Sequence, residues 1–275
     1  MGFESASYFK EKIYFMEKHL GKVVIPNYNS VWHFESKVAQ KYIFEKYIIS
    51  TPLTVATFDY HDALNKLNEF SFPIVMKEST GAAASNVKLV ESYNHAISIL
   101  NEIFCKEAVK KDVIKKGKIL GRLSKRYVDL VKWKKSGPNQ PVIYWQEFIP
   151  DNSRDLRITV IGNKYAFGFW RNNRPNDFRA SGSGDIDFKS DIPEAVINYC
   201  MSISDRLDLD SMAYDVVFFG EEVKIIEMSF GYLDTAIHNS GGFYELVDNK
   251  LVFREGNYWP QEIWIKWALN KICKI

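Results

Sequence analysis

The chain has 275 residues, 46% of them hydrophobic and 15% aromatic, with 36 Lys and Arg against 34 Asp and Glu. That length and apolar content can bury one large core or two modest ones, which argues against intrinsic disorder. A formal net charge of +2 gives no global case for nucleic-acid binding. Cys105, Cys200 and Cys273 lie far apart with no Cys-x-x-Cys or Cys/His spacing. This argues against a zinc site or a disulfide framework and fits a reducing compartment. The first twenty residues mix acids and lysines where a secretion signal needs an apolar run, and no stretch approaches the roughly 18 apolar residues of a membrane span. The expectation is a cytoplasmic protein with no membrane span.

Taken in chain order, Phe9, Ile13, Met16 and Leu20 recur at helical spacing. "HFESKVAQKYIFEKYII" predicts a second helix, ended by Thr51-Pro52. "DYHDALNKLNEF" predicts a short helix. "FPIVMKE" predicts a buried strand with "NVKLVES" as its hairpin partner, and between them lies "STGAAAS", all small residues. "NHAISILNEIF" reads as helix. Residues 106–135 then carry twelve Lys/Arg against three Asp/Glu. That run is either a patch for an acidic or phosphate-bearing acceptor or a solvated helical insertion. Further on, "PVIYWQEFIP" leads into a hairpin, "DLRITVIGNKYAFGFWR", turning at Gly162-Asn163. The helix "DIPEAVINYCMSISDRLDL" precedes a second hairpin, "AYDVVFFGEEVKIIEMS", and a last helix follows Pro260. Hairpins mixed with helices predict an α+β fold, not a doubly wound sheet.

Three groups of residues could carry chemistry. Lys77 ends a buried strand beside the small-residue loop 79–85, where a cation and free amides can hold a polyphosphate, although no P-loop motif is present. A structural strand end followed by a tight turn is the bland alternative. Asp215 and Glu227 face each other across a predicted hairpin, with Ser229 on the face of Glu227 by strand alternation. Two buried like charges need either a shared cation such as Mg²⁺ or separate Lys and Arg partners, and both readings stand. Third, Asp155, Arg157, Arg171, Arg174 and Arg179 gather around one hairpin and the loop "NDFRASGSGDI". There a guanidinium stands beside small residues that let main chain approach an anion.

The order of "SKVAQKYIFEKY", "FPIVMKESTGAAASNVKLV", "YWQEFIPDNSRDLRITVIGNKYAFGFWRNNRPNDFRASGSG" and "YDVVFFGEEVKIIEMS" resembles the ATP-grasp superfamily, and within it the RimK-like carboxylate–amine ligases. "GGFYELVDNKLVFREGNYWPQEIWI" is similar to the tail of a subgroup of that superfamily. The resemblance implies an α+β fold whose two subdomains clasp ATP between antiparallel sheets. Residues 1–35 would be a short helical segment in place of a full preceding domain. Residues 36–145 would be the first subdomain with the basic insertion 106–135, and 146–275 the second, with the metal and substrate-side loops.

The same resemblance implies ATP and Mg²⁺, or Mn²⁺, as cofactors. Lys37 and Lys77 would contact the nucleotide phosphates. Glu147 and Phe148 would hold the adenine at the hinge, Asp155 would sit near the nucleotide or ribose, and Gln146, Ile149 and Ser181 would also contact the nucleotide. Asp215, Glu227 and Ser229 would ligate the metal, with Ser229 standing where the family has Asn. Arg171 and Arg179 would be catalytic, facing the γ-phosphate and the acyl group. The implied reaction joins a carboxylate, from a small molecule, amino acid or glycan, to an amine through an acyl phosphate. A non-catalytic nucleotide-binding module and a phosphotransferase are the alternatives. A homodimer or a partner subunit could complete the substrate site. The aromatics Phe243, Tyr244, Phe253, Tyr258, Trp259 and Trp264 would suit a sugar acid, and core packing accounts for them equally. His238 falls near the expected substrate side.

Overall fold

The structure, a computed structural model, describes residues 3–77, 87–104 and 142–273. Its strands form two antiparallel sheets, one in each of two compact units. The first unit takes the chain up to Pro52 and again from Ile149, and the second takes most of residues 53–148.

In the second unit β1 (Thr54–Thr57), β4 (Ile143–Glu147), β2 (Ile74–Lys77) and β3 (Val87–Val90) lie side by side in that order. Every residue of β2 is buried, as its unbroken apolar run demands in a central strand. The helix α4 (Tyr60–Lys66) starts at Asp59, whose side chain accepts from Asp62 N at 2.9 Å. It and α5 (residues 93–104) cover the sheet, packing Ala63, Leu67, Ala96 and Leu100 against Ile74, Met76, Ile143 and Trp145.

The first unit holds β5 (Arg154–Ile161), β6 (Tyr165–Asn172), β7 (Ile186–Asp187), β8 (Ser211–Phe219), β9 (Glu222–Ser229), β10 (Gly242–Val247) and β11 (Lys250–Glu255). Their order is β11-β10-β6-β5-β8-β9, with β7 paired to β6. Both predicted hairpins are present, turning after Ile161 and at Gly220-Glu221. Side chains alternate between the two faces. One face, with Leu156, Ile158, Val160, Met212, Tyr214 and Val216, is buried. It lies against the helix α6 (Glu194–Arg206), which presents Val196, Ile197, Cys200, Met201 and Ile203, and against Ile43 and Phe44 of α3 (Lys37–Lys46).

The opposite face is divided. At one end Ile161, Tyr165, Phe167 and Phe169 are sealed by α7 (Asp234–His238), Phe243 and α8 (Pro260–Ile272). At the other end the same face carries Asp155, Arg157, Arg171 and Asp215. The N-terminal helices α1 (Phe3–Lys18) and α2 (Tyr28–Val31) belong to this unit. Asn27 N donates to the buried Asp210 carboxylate at 2.8 Å, which also takes Lys271 Nζ at 2.6 Å.

Three expectations need adjusting. The helix predicted to run to Thr51-Pro52 ends at Lys46. It also packs with β9, and the second unit begins at Leu53, so residues 36–52 belong with the first unit and not with the sheet that follows them. The β10–β11 hairpin was not anticipated. Its signal was Asp248-Asn249, both at positive φ, a two-residue turn that matches strand twist. The small-residue loop 79–85 and the basic segment 106–135 lie outside the described residues.

Gly162 turns the β5–β6 hairpin at φ +57, and a Cβ there would stand 2.6 Å from the Trp267 ring. Gly162→Ala should therefore cost about 1–3 kcal/mol, from the left-handed backbone and the displaced indole together. Urea unfolding followed by tryptophan fluorescence measures this, and an unchanged midpoint would contradict the packing described.

Candidate functional site

Cross-strand register builds the site. Asp155 stands opposite Arg171, Arg157 opposite Asp215, and Asp215 opposite Glu227. Five ionisable side chains therefore share one face on two neighbouring rungs, Arg171–Asp155 across β6 and β5 and Arg157–Asp215–Glu227 across β5, β8 and β9. The last of them reaches its rung only because of a β-bulge. From the turn upward Phe219 pairs with Glu222 and Val216 with Ile225, and continuing that register would set Ile226 opposite Asp215. The register shifts between Asp215 and Val216, Ile226 becomes the extra residue, and Glu227 comes round to the charged face. Bulges re-aim side chains in this way, since a one-residue slip exchanges the faces of a strand.

Arg171 forks Asp155, with Nε donating to Oδ1 at 2.7 Å and Nη2 to Oδ2 at 2.6 Å. Its Nη2 also lies 2.9 Å from Asp215 Oδ2. Arg157 forks Asp215, Nε to Oδ1 and Nη2 to Oδ2, the second at 2.9 Å. Asp155, Arg171 and Asp215 are all buried. Burial pushes the Asp215 carboxyl up, but Arg157 and Arg171 outweigh it and hold the group well below the usual carboxylate range. Burial raises Asp155 against the pull of Arg171. Burial acts to lower Arg171, and Asp215 and Asp155 together raise it above the ordinary guanidinium range. Glu227 differs from its neighbours: among the described residues it has no ion pair. Ser229 Oγ donates to Gly231 O at 2.8 Å and accepts from Gly231 N at 3.2 Å.

The loop after β6 ties itself together. Arg179 forks Asp177, with contacts of 2.9 and 2.6 Å that hold the Asp177 carboxyl below its ordinary range, and Arg174 Nη2 donates to Ser181 O at 2.5 Å. Gly182 and Gly184 sit at φ +74 and +77, so glycine serves the backbone there. Lys37 opens α3, buried, directly after the capping Ser36. A cation at that end opposes the helix dipole, so helix stability does not explain it. The same helix holds β9 through Gln40, whose Nε2 donates to Met228 O at 2.8 Å and whose Oε1 accepts from Met228 N at 3.1 Å. Just before α3, Phe34 packs on Phe230 at 4.6 Å and its carbonyl accepts from Lys10 Nζ at 2.6 Å. The N-terminal segment thus seats on the end of β9.

In the second unit Lys77 ends β2 and is buried. Gln146 Nε2 donates to Thr54 Oγ1 at 3.0 Å, and Glu147 exchanges two bonds with the Leu53 backbone, at 2.8 and 3.1 Å. Phe148 follows, and Ile149 is buried at the start of the first unit's long segment. The C-terminal aromatics largely pack on protein: Phe243 against Tyr165 and Tyr258, Tyr244 against Phe253, Trp259 on His238 at 4.0 Å. Trp264 Nε1 donates to Tyr232 OH at 2.8 Å.

Among the described residues no group of three or more His, Cys, Asp or Glu converges as a metal site. The donors that do converge are oxygens, Glu227 across from Asp215 with Ser229 two residues on, and these suit a hard cation. They fit Mg²⁺ in the way that ion is usually held, by one or two carboxylates plus ligand phosphates. The Glu227 charge is the one not already balanced by a guanidinium.

Comparison with known proteins agrees on one family. The RimK-like ATP-grasp domain family matches residues 35–230. The alpha-aminoadipate–LysW ligase LysX of Saccharolobus solfataricus is 25% identical over 168 residues, which is 59% of this chain and 48% of that protein. The chain thus spans about half the length of this curated relative. The RimK domain ATP-grasp protein of Sphaerobacter thermophilus superposes with a TM-score of 0.52 at 16% identity, over 80% of this chain and 68% of that one. A RiPP-associated ATP-grasp ligase of Chryseobacterium gregarium, solved with ADP and a leader and core peptide, gives 0.55 at 14% identity, over 86% and 64%. At such identities the likeness shows the fold, which is the α+β ATP-grasp fold.

The paired charges make a stability prediction. Asp215→Asn leaves the buried guanidiniums short of a counter-ion and should cost about 3–5 kcal/mol, whereas adding Arg157→Met should recover part of the loss. The Asp215 carboxyl is depressed in the folded state, so its contribution is present above the ordinary aspartate range and is lost as pH falls below it. Urea unfolding of both variants at pH 7 and below 4 tests each part.

Proposed function

The chain belongs to the RimK-like ATP-grasp family, and on that premise we propose that it is an ATP-dependent carboxylate–amine ligase. The supporting observation is the largely buried charge cluster Arg171–Asp155 and Arg157–Asp215–Glu227, which places guanidinium donors and an uncompensated carboxylate on one sheet face. A protein gains no stability from burying Asp155, Arg171 and Asp215, with Arg157 and Glu227 half-buried beside them, where apolar groups would pack.

In the reaction a substrate carboxylate oxygen bonds to the γ-phosphorus of ATP while the bond from that phosphorus to the β-phosphate oxygen breaks, releasing ADP and leaving an acyl phosphate. An amine then adds to the acyl carbon, phosphate leaves with its oxygen, and the amine gives up a proton to yield the amide. Lys37 and Lys77 hold phosphate oxygens as point charges. Gln146, Glu147, Phe148 and Ile149 hold the base, largely through backbone groups, and Asp155 and Ser181 orient the sugar and phosphates. Arg171 and Arg179 neutralise charge that builds on the transferred phosphoryl and on the acyl oxygen. Mg²⁺, or Mn²⁺ in its place, held by Glu227 with Asp215 and Ser229, would supply charge neutralisation at the phosphates. Positioning and electrostatics suffice, without a side-chain nucleophile.

On the substrate side, one relative named above is an alpha-aminoadipate–LysW ligase and another was solved with a leader and core peptide. We extend the same class, an amino-acid or peptide carboxylate, to this chain. Phe243 packs on Tyr258 and Tyr244 on Phe253, which favours the core-packing account of those rings over sugar stacking.

The test is phosphate release measured against acid–amine pairs. The ligase requires release to depend on both partners, and Arg179→Met should slow it by about 10²-fold or more. ADP formed with an acid alone, with no phosphate released and a phosphorylated product left, would mark a phosphotransferase. Nucleotide binding with no release on any pair would mark a binding module.

A further inference from the structure

We propose that Arg157 is an internal competitor for the divalent cation, holding Asp215 until nucleotide phosphate is present, so that metal and nucleotide occupy the site together. This rests on the ATP-grasp reading and concerns a residue to which that reading gives no part.

An ionised carboxylate offers about four acceptor positions. At Asp215 three guanidinium N–H groups already point at them: Nε and Nη2 of Arg157 and Nη2 of Arg171. One position remains, so a divalent ion that binds Asp215 from the side of the arginines, or with both oxygens, has to displace one of them. The two arginines are not equivalent. Arg171 is anchored by its fork on Asp155 and touches Asp215 with one nitrogen only. Arg157 gives both ends of its fork to Asp215 and has no other hydrogen-bond partner among the described residues. It is also the less buried of the two, its side chain 17% exposed against 10% for Arg171. Arg157 is the group that can leave.

Charge decides when it leaves. The cluster holds two cations, Arg157 and Arg171, against three anions, Asp155, Asp215 and Glu227. A divalent ion entering alone turns that net charge of one negative into one positive, with a freed guanidinium beside it whose carboxylate neighbour on the same strand, Asp155, is already forked by Arg171. A polyphosphate entering with the ion gives the guanidinium fork a new bidentate partner and offsets the added positive charge. The two ligands therefore bind with positive coupling, and by linkage each tightens the other by the same factor.

The experiment titrates Mn²⁺ into the protein without nucleotide and follows free Mn²⁺ by electron paramagnetic resonance. Native protein should bind Mn²⁺ alone weakly. Arg157→Gln, which frees the Asp215 oxygens, should bind it at least 10-fold more tightly, and adding Glu227→Gln should abolish the gain. Arg157→Lys keeps the charge without the fork and should fall between native protein and Arg157→Gln, so a poorly folding Gln variant does not close the test. Adding a non-hydrolysable ATP analogue should tighten Mn²⁺ more in native protein than in Arg157→Gln. Equal Mn²⁺ affinity in the native and both Arg157 proteins would overturn the proposal. So would a gain that survives loss of Glu227. Failure of the ATP-grasp reading looks different: native protein would then ignore the nucleotide at every Mn²⁺ concentration.

Discussion

A sheet face that carries buried carboxylates must neutralise them, and the first unit is organised around that constraint. Moving carboxylates out of water is expensive, so each one here is met by a partner positioned by strand register and not by chance contact. Asp155 has Arg171, and Asp215 has Arg157 and Arg171. The other half of the same face needs no such device, because α7, α8 and β10 cover it with Ile237, Ile263 and Phe243. The face thus changes from packed core to charged surface along the length of β5, and the hydrocarbon end holds rigid the strands that bear the charged end.

Glu227 is where this balancing stops. It reaches the cluster by way of the bulge at Ile226, which exchanges the face its side chain would otherwise occupy. A bulge weakens the ladder locally, and it is stabilised here from outside the sheet. Gln40 of α3 makes two bonds to the Met228 backbone, and Ile225 N donates to Ser50 O at 2.8 Å. The helix that begins with the buried Lys37 is therefore the same element that fixes the strand bearing Glu227. Two groups expected to face one anionic ligand with its cation share a single support.

Much of this was legible in the sequence, and for a local reason. Alternating apolar residues around Gly162-Asn163 and Gly220-Glu221 specify hairpins, which bring Asp155 to Arg171 and Asp215 near Glu227 from within short stretches of chain, while the bulge that sets Glu227 directly opposite Asp215 has no such sequence signal. The pairing of Arg157 with Asp215 is different in kind. These residues are joined by the ladder between β5 and β8, which are separated by a hairpin, a loop and α6. Sequence alone does not set that register, although the Asp155 and Arg157 spacing of two residues did place both on one face. The partner of Arg179 was local, two residues away in Asp177, but a loop has no period from which to read it. The hairpin at 242–255 is marked only by its turn at Asp248-Asn249, because its two strands mix apolar and charged residues without strict alternation. Segments 79–85 and 106–135, which also drew functional readings, fall outside the described residues.

The central claim is that the charged end of the first unit's sheet is where nucleotide and divalent cation bind. A thermal shift with Mg·ATP, comparing native protein with Glu227→Ala, addresses it most directly. A ligand specific for the folded state, at about 100 times its dissociation constant, adds roughly 2.7 kcal/mol. The account requires a clear rise in melting temperature for the native protein that disappears in Glu227→Ala, with the unliganded melting temperature of the variant close to native. An equal shift in both proteins would place nucleotide and metal away from Glu227. No shift in either at millimolar Mg·ATP would contradict the account at its base.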